Sequence, residues 1–195
     1  MTPFRMAAGR LAASALLMTA FVSTSSAAGA PSWKLDPGKS KLGFSGMQTG
    51  AKFQGGFSRY DAAIEFDPDH LEASHITVSI DLASATTNDK QRDTALPGKD
   101  WFDVPQFPAA KFETSAIRRK DAGTYEAVGN LTLRGVTKPI TLPFTLEMNG
   151  PSAHVTGHAE LDRSAFGIGQ GSWSTDQWVS FAVAVDIDLT ATRGN

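Results

Sequence analysis

Two histidines four residues apart, His154 and His158, are the best candidates for metal ligands in this sequence. On a helix, this spacing would bring both imidazoles to one face. The residues around them are typical of a strand, and four strand residues cover about 13 Å at about 3.3 Å per residue. One ion with bonds of about 2.0 Å cannot bridge that distance. We therefore predict no metal site and interpret both histidines as exposed or partly buried strand residues.

The sequence offers no strong nucleophile. It contains no Cys, which excludes thiol nucleophiles, disulfides and thiolate metal sites. It also lacks the Gly-x-Ser-x-Gly segment that exposes the nucleophilic serine of an α/β-hydrolase. Asp186 and Asp188 could form a carboxylate pair, but they alternate with apolar residues, and we interpret them as the solvated face of a strand. These observations favour a binding protein over an enzyme.

Two stretches place Arg beside Asp close to aromatic residues. Arg92 and Asp93 precede Trp101, and Asp162 and Arg163 precede Phe166. Such neighbours often form an ion pair that fixes a loop. The functional alternative is a polar rim around a binding site, formed by Arg92, Asp93, Trp101 and Arg163.

The elements that would position these residues are mostly strands. The clearest pattern runs from Gly129 to Leu146, where apolar and polar residues alternate around a turn predicted at Gly135–Pro139. Pro139 and Pro143 have no amide hydrogen, which favours an edge, a strand start or a bulge. A short helix is predicted at 88–96, with Asn88 as its cap and Pro97-Gly98 as its stop.

About eight strands joined by short turns predict an all-β fold, an antiparallel up-and-down barrel or a sandwich. Periodicity does not separate these two, and it does not separate a filled barrel from a hollow one. In a barrel, the apolar side chains of one strand face would point inward. We predict this set to be Phe44, Phe57, Ile64, Phe66, Ile76, Val78, Ile80, Phe112, Leu131, Leu133, Leu142, Phe144, Val179, Phe181 and Val183.

The first 28 residues have the parts of a secretory signal peptide. Arg5 and Arg10 precede an apolar run from Leu11 to Val22, and small residues follow up to Ala28. The apolar run is shorter than the roughly 20 residues that a membrane-spanning helix needs. We predict cleavage after Ala28, export to the periplasm and a single domain at 29–195. That domain has 16 Lys and Arg against 20 Asp and Glu, which gives no support to nucleic-acid binding.

The segment from Gly129 to Pro139 resembles the G-x-L-T-x-x-G-V-T-K-P signature of the YceI-like polyisoprenoid-binding family. Further segments agree with that family in the same order, so that the resemblance covers about Trp33 to Ala191. They are Phe53–Phe57, Ser79–Asp93, Trp101–Asp103, Pro108–Phe112 and Arg163–Gly167.

The sequence departs from the family at two positions where the family often has a histidine. Lys39 precedes Ser40 in the first strand, and Thr94-Ala95-Leu96 follows the Arg-Asp pair. These departures argue against a catalytic histidine shared with the family.

The resemblance implies an exported, lipocalin-like eight-stranded antiparallel barrel with a long apolar channel. It implies a polyisoprenoid ligand, such as a quinone or a prenyl lipid, transient contact with the inner membrane, and a role as a carrier or in stress response. No cofactor or metal is expected beyond the bound lipid. Two alternatives stay open: a periplasmic isomerase or hydrolase acting on a lipid, and an interaction module for a membrane redox protein. The sequence does not give the oligomeric state.

Overall fold

The computed structural model describes residues 29–194, so the predicted signal peptide lies outside the described residues. One α-helix, α1, spans Lys90–Ala95. Residues 29–194 also contain eleven strand segments, which are in chain order β1 Ser32–Leu35, β2 Lys41–Gln48, β3 Ala51–Phe57, β4 Tyr60–Glu65, β5 His75–Asp81, β6 Ala85–Thr86, β7 Ala109–Asp121, β8 Thr124–Leu133, β9 Val136–Asn149, β10 Ser152–Asp162 and β11 Ala182–Arg193.

These segments form one closed antiparallel barrel. Three strands of the wall are interrupted: β1 and β2 are separated by a 3₁₀ turn at Pro37–Lys39, β3 and β4 by two residues, and β5 and β6 by a 3₁₀ turn at Leu82–Ser84. With each interrupted pair counted once, the wall has eight strands. β11 pairs with both β1 and β2, which closes the wall. The predicted eight-stranded barrel is confirmed, and the sandwich is excluded.

The hairpin between β8 and β9 differs from the prediction in its turn. Its two turn residues are Arg134 and Gly135, with φ of 49° and 73°. Two residues with positive φ match the twist of the strands they join. Pro139 therefore lies within β9, opposite Asn130, and Pro143 lies opposite Glu126.

Helix α1 is shorter than predicted. Its cap is Asp89, whose Oδ1 accepts a hydrogen bond from the Arg92 backbone N–H at 3.0 Å. Asn88 instead has a φ of 58° in the turn that precedes the cap. The predicted cap was wrong by one residue because Asp and Asn are both good caps and stand next to each other here.

The two ends of the barrel are built differently. At the end where β2, β6, β8 and β10 finish, called the upper end, two long connections at 87–108 and 163–181 cross the opening. The backbone N–H groups of Gly169 and Gln170 join them by donating to the Asp100 carbonyl at 2.8 Å each. The lower end has shorter connections, such as Ala122-Gly123 between β7 and β8. No helix within residues 29–194 is long and apolar enough to cross a membrane.

Candidate functional site

The barrel is hollow. The inward side chains of Ile64, Ile76, Val78 and Ile80 are only partly buried, although they point away from the outer surface. Among the described residues, Leu82 is the only large side chain that is fully buried. The space that the remaining side chains leave unfilled is a cavity of about 290 Å³.

The cavity extends along most of the barrel. At the lower end it reaches Trp33, Phe66 and Ala191, and at the upper end it reaches Trp101 and Phe166. On β11 it is lined by alternate residues from Val183 to Ala191, eight residue steps that cover about 26 Å of strand at about 3.3 Å each. Its shape therefore suits a long, narrow ligand better than a compact one.

The lining is almost entirely apolar. Every inward residue predicted from periodicity lies on it except Phe181: Phe44, Phe57, Ile64, Phe66, Ile76, Val78, Ile80, Phe112, Leu131, Leu133, Leu142, Phe144, Val179 and Val183. Of the residues predicted for a polar rim, Trp101 and Arg163 also line the cavity, whereas Arg92 and Asp93 do not.

Phe181 lies outside the cavity because strand geometry does not continue through it. β11 begins only at Ala182, and Val179 is held inward by an isolated bridge to Gln48. Phe181 instead packs against Arg163, with its ring centre 5.1 Å from the guanidinium carbon. The prediction was therefore wrong for Phe181, although Val179, two residues earlier, lines the cavity.

Sequence analysis left many lining residues out of the predicted set. On the strands, continuing the same alternation would have found Leu42, Ile140, Leu146, Val185, Ile187 and Leu189. No periodic signal marks the lining residues of the upper connections, Leu96, Phe102, Phe166 and Ile168. The remaining members are Trp33, Leu35, Phe53, Tyr60, Ala62, Leu82, Ala110, Ala127, Ala153, Val155, Ala159, Leu161 and Ala191.

Arg163 is a buried cation in the upper cavity wall, and only 4% of it is exposed. Its guanidinium donates to the backbone carbonyls of Ser180, Ile168, Thr175 and Val179 at 2.8–3.0 Å. Burial lowers the pKa of Arg163, while Asp162 and Asp176 act in the opposite direction. The side chain therefore fixes the connection at 163–181 rather than forming part of an exposed rim.

A family model described as the YceI-like domain matches residues 33–191. The chain belongs to the YceI-like family. A UPF0312 protein of Pseudomonas syringae pv. tomato is 35% identical over 142 residues, which cover 70% of each chain.

Solved structures agree with this YceI-like assignment. The crystal structure of BcnA from Burkholderia cenocepacia has a TM-score of 0.77 at 33% identity, over 81% of this chain and 99% of that one. A domain from Saccharophagus degradans, described as polyisoprenoid binding and implicated in plant cell wall breakdown, has a TM-score of 0.67 at 16% identity. It covers 84% of this chain and 99% of that one, and at this identity the likeness shows the fold alone.

In this YceI-like chain, Arg92 and Asp93 do not form an ion pair with each other. Asp93 accepts hydrogen bonds from the Thr86 hydroxyl and from the hydroxyl and backbone N–H of Thr87, each at 2.7 Å. These bonds, led by the Thr87 hydroxyl, lower the pKa of Asp93. Arg92 donates to Gln48 Oε1 at 3.1 Å and lies over the Phe53 ring, so it joins α1 to the β2–β3 hairpin.

The second pair also differs from the predicted ion pair. Asp162 Oδ1 accepts from the backbone N–H of Ser164 at 2.8 Å and from its hydroxyl at 2.6 Å. It thereby caps the 3₁₀ turn Arg163–Phe166, while the Arg163 side chain turns toward the cavity. In both pairs, the carboxylate accepts from a nearby backbone N–H and from nearby hydroxyl groups instead of pairing with the adjacent arginine.

Two polar atoms on cavity-lining residues have no hydrogen-bond partner in the part of the chain that is described. They are the Tyr60 hydroxyl and the Trp101 indole N–H, and both atoms are buried. Burial, followed by the nearby Asp188, raises the pKa of Tyr60. Tyr60 is therefore held neutral, and neither group supplies a charge to the cavity.

The histidines and aspartates of β10 and β11 lie on the outer face of the barrel. His154 Nε2 is 2.8 Å from Asp188 Oδ1, and His158 Nδ1 is 2.6 Å from Asp186 Oδ1. All four side chains remain largely exposed. Within residues 29–194, no group of three or more His, Asp or Glu side chains could hold a metal ion.

The two positions at which the family resemblance expects histidine also lie away from the cavity lining. Lys39 is exposed in the turn between β1 and β2, and the Ser40 hydroxyl accepts from the Thr190 backbone N–H at 3.0 Å. The Thr94 hydroxyl donates to the Lys90 carbonyl at 2.7 Å, within α1. The Ser40 and Thr94 hydroxyls therefore bind the local backbone.

Proposed function

We propose that this protein is an exported carrier that holds a long isoprenoid lipid in the barrel cavity. The observation that carries the proposal is the cavity itself, which runs from Trp33 to Phe166 between apolar side chains. Among the lining residues, only Trp33, Tyr60, Trp101 and Arg163 have polar side-chain atoms, and the Trp33 indole N–H is already bonded to the Phe66 carbonyl. A branched hydrocarbon tail needs no hydrogen bonds and can fill such a space without leaving polar groups of its own unpaired.

The energetics suit a carrier. Burial of each CH2-sized group is worth about 0.8 kcal/mol relative to water. The tail, however, is exchanged with a bilayer that is as apolar as the cavity, and ordering it costs conformational entropy. The net preference for protein over membrane is therefore small, which allows both loading and release.

The proposed ligand class is a prenylated quinone or a prenyl carrier lipid. Family membership supports it, as does the description of the Saccharophagus domain as polyisoprenoid binding. We assign the choice of head group to the upper end, where Arg92 lies beside Phe53 and where Trp101 carries an unpaired N–H. Transient contact with the inner membrane, where such lipids reside, is part of the same proposal.

We favour binding over catalysis because the cavity offers little acid–base chemistry. Tyr60 is a phenol whose pKa is raised by burial, and the hydrogen bonds of Arg163 go to backbone carbonyls. Asp and Glu side chains do not occur among the lining residues. Export through the segment 1–28, with cleavage after Ala28, and a role in stress response complete the proposal.

A selectivity measurement tests this proposal. Protein stripped of lipid would be titrated with a prenylated benzoquinone, with the prenyl alcohol of the same tail, and with a straight-chain fatty alcohol of similar length. We expect both prenyl probes to bind more tightly than the straight chain. Equal affinity for all three would contradict the isoprenoid class, and no binding of any probe would contradict the carrier function. Fractionation of cells that express the full chain tests export. The mass of the exported protein should correspond to a mature N-terminus at Gly29.

A further inference from the structure

The hydrogen-bonded ladder between β9 and β10 covers only part of the length of these strands. These strands pair from Ser152 to Gly157 of β10, opposite Phe144 to Asn149 of β9. Above this point, residues 158–162 of β10 pair with β11, and residues 136–143 of β9 pair with β8. Within residues 29–194, no ladder joins these two upper halves to each other. We call this interval, between residues 136–143 and 158–162, the seam.

The sequence of β9 explains why the seam stays open. The backbone N–H of Leu146 donates to the Gly123 carbonyl and therefore points toward β8. Successive residues of a strand direct their N–H groups to opposite sides, so even-numbered residues of β9 face β8 and odd-numbered residues face β10. Pro139 and Pro143 therefore stand where two donors to β10 would otherwise lie. Proline has no N–H, and of the three donors at 139, 141 and 143 only Thr141 remains.

Both edges of the seam belong to the cavity wall. Ile140 and Leu142 of β9 line the cavity on one side, and Ala159 and Leu161 of β10 line it on the other. The alternate residues of both edges are exposed to solvent: Pro139, Thr141, Pro143, His158 and Glu160. The seam is therefore a strip of wall with an apolar inner face, a solvated outer face and no backbone ladder across it.

We propose that the seam is a lateral portal through which the isoprenoid tail enters and leaves the cavity. The proposal rests on the carrier function proposed above. A tail that passes sideways between two strands need not disturb the upper connections, which are held by Arg163 and by the bonds from Gly169 and Gln170 to Asp100. Separating β9 from β10 at the seam breaks no ladder of hydrogen bonds, so opening costs less here than in the paired part of the same two strands.

The tail is a better occupant than an added peptide strand. A strand that augmented the β9 edge would find one N–H donor, at Thr141, among the three positions from 139 to 143. A hydrocarbon needs no donors, and it meets apolar side chains directly behind the edge. Pro139 and Pro143 thus discourage strand addition while leaving the passage of an apolar tail unaffected.

Cross-linking tests the portal, and the absence of native Cys makes the experiment clean. Thr141→Cys with Glu160→Cys places one thiol on each side of the seam, because the β9–β10 register continued upward puts these positions opposite each other. A short cleavable bis-maleimide would join them in the folded protein. The matched control is Thr145→Cys with Thr156→Cys, a pair of exposed partners in the zipped part of the same two strands.

The readout separates rate from affinity. Transfer of a prenylated benzoquinone from phosphatidylcholine vesicles would be followed by quenching of tryptophan fluorescence, both as a time course and at equilibrium. We expect the seam cross-link to slow loading at least about tenfold, equivalent to about 1.4 kcal/mol in the barrier. Cleavage of the linker should restore the rate, and the control cross-link should leave it unchanged.

A second pair of substitutions approaches the same question without a linker. Pro139→Thr with Pro143→Thr restores two N–H donors, which should let the β9–β10 ladder extend into the seam. Loading should then be slower than in the parent protein, as expected for the seam cross-link. Unchanged loading in the cross-linked seam protein, with normal affinity at equilibrium, would overturn the portal and leave the carrier function standing. Failure of the parent protein to bind the quinone at equilibrium would overturn both. Tight capture of an extended peptide at an uncross-linked seam, with lipid loading insensitive to the linker, would assign the edge to a protein partner.

Discussion

The indole N–H of Trp33 donates to the backbone carbonyl of Phe66 at 2.9 Å, and this buried bond ties β1 to the residue that follows β4. Both side chains lie in the lower cavity wall, and the Phe66 ring meets Tyr125 edge to face at 5.7 Å. The lower end is thus closed by aromatic packing around one specific hydrogen bond.

Trp33→Phe should destabilise the protein by about 2 kcal/mol, because it leaves the Phe66 carbonyl unpaired and removes buried ring area. Urea unfolding followed by circular dichroism measures this change. Trp178→Phe is the matched control, since Trp178 is 48% exposed and should change stability by less than about 0.5 kcal/mol. Equal effects of the two substitutions would contradict the closing role of Trp33.

Arg163→Lys should lower the free energy of unfolding by about 2–3 kcal/mol, because one ammonium group cannot serve the four carbonyls that the guanidinium reaches. Limited proteolysis should also cleave the variant faster within 163–181. The same exchange at exposed Arg118 controls for the change of side chain. Protease resistance equal to that of the parent would show that this connection does not depend on Arg163.

Asp93→Asn should reduce the dependence of stability on pH in the acid range. The hydrogen bonds from Thr87 and Thr86 lower the folded-state pKa of Asp93 below the ordinary value of 3.8. A lowered folded pKa means that the stabilisation is fully present above 3.8 and is lost as pH falls through the folded value.

The difference in unfolding free energy between parent and Asp93→Asn should therefore shrink as pH is lowered from neutral into that range. Urea unfolding at a series of pH values measures it, with exposed Asp61→Asn as the control for loss of one charge. A difference that stays constant with pH would show that the carboxylate bonds of Asp93 are not what links this residue to stability.

Sequence periodicity predicted antiparallel strands and most of the inward residues because a strand with one buried face leaves a period-two pattern. The choice of a barrel over a sandwich came from the family resemblance. Periodicity failed where the chain leaves strand geometry. Phe181 has the parity of an inward residue but lies before the start of β11. Phe166 and Ile168 line the cavity from a 3₁₀ turn and a connection, where no period marks which side chains point inward.

Charged residues were harder to place than apolar ones. For Arg163 the sequence suggested an ion pair with Asp162 that fixes a loop, or a place in a polar rim. Instead, four carbonyls of one irregular connection compensate its charge in the wall, an arrangement that depends on tertiary folding and leaves no local pattern. Pro139 and Pro143, by contrast, were expected at an edge, a strand start or a bulge, and they lie where β9 lacks β10 as a partner.

Neighbouring alanines on β4 provide a matched test of the cavity. Ala62 lines it, whereas Ala63 is exposed on the outer face. Ala62→Leu should add roughly 2 kcal/mol of stability to the lipid-free protein, from about 0.8 kcal/mol for each added CH2-sized group. It should also weaken binding of a prenyl probe, because the added atoms occupy space that the tail needs.

Ala63→Leu should change neither property by more than about 0.5 kcal/mol. Thermal unfolding of lipid-free protein and equilibrium titration with the probe measure the two effects. Stabilisation of the lipid-free form by Ala62→Leu without any loss of probe affinity would show that the tail does not occupy this part of the barrel.

The central claim is that the hollow barrel holds an isoprenoid lipid, and its most direct test is the intact mass of the native protein. The full chain would be expressed in a Gram-negative host, purified without detergent, and examined by native mass spectrometry with identification of any released lipid. We predict one prenylated lipid per chain at high occupancy. Folded protein that is uniformly empty, or that carries only straight-chain lipids, would contradict the account.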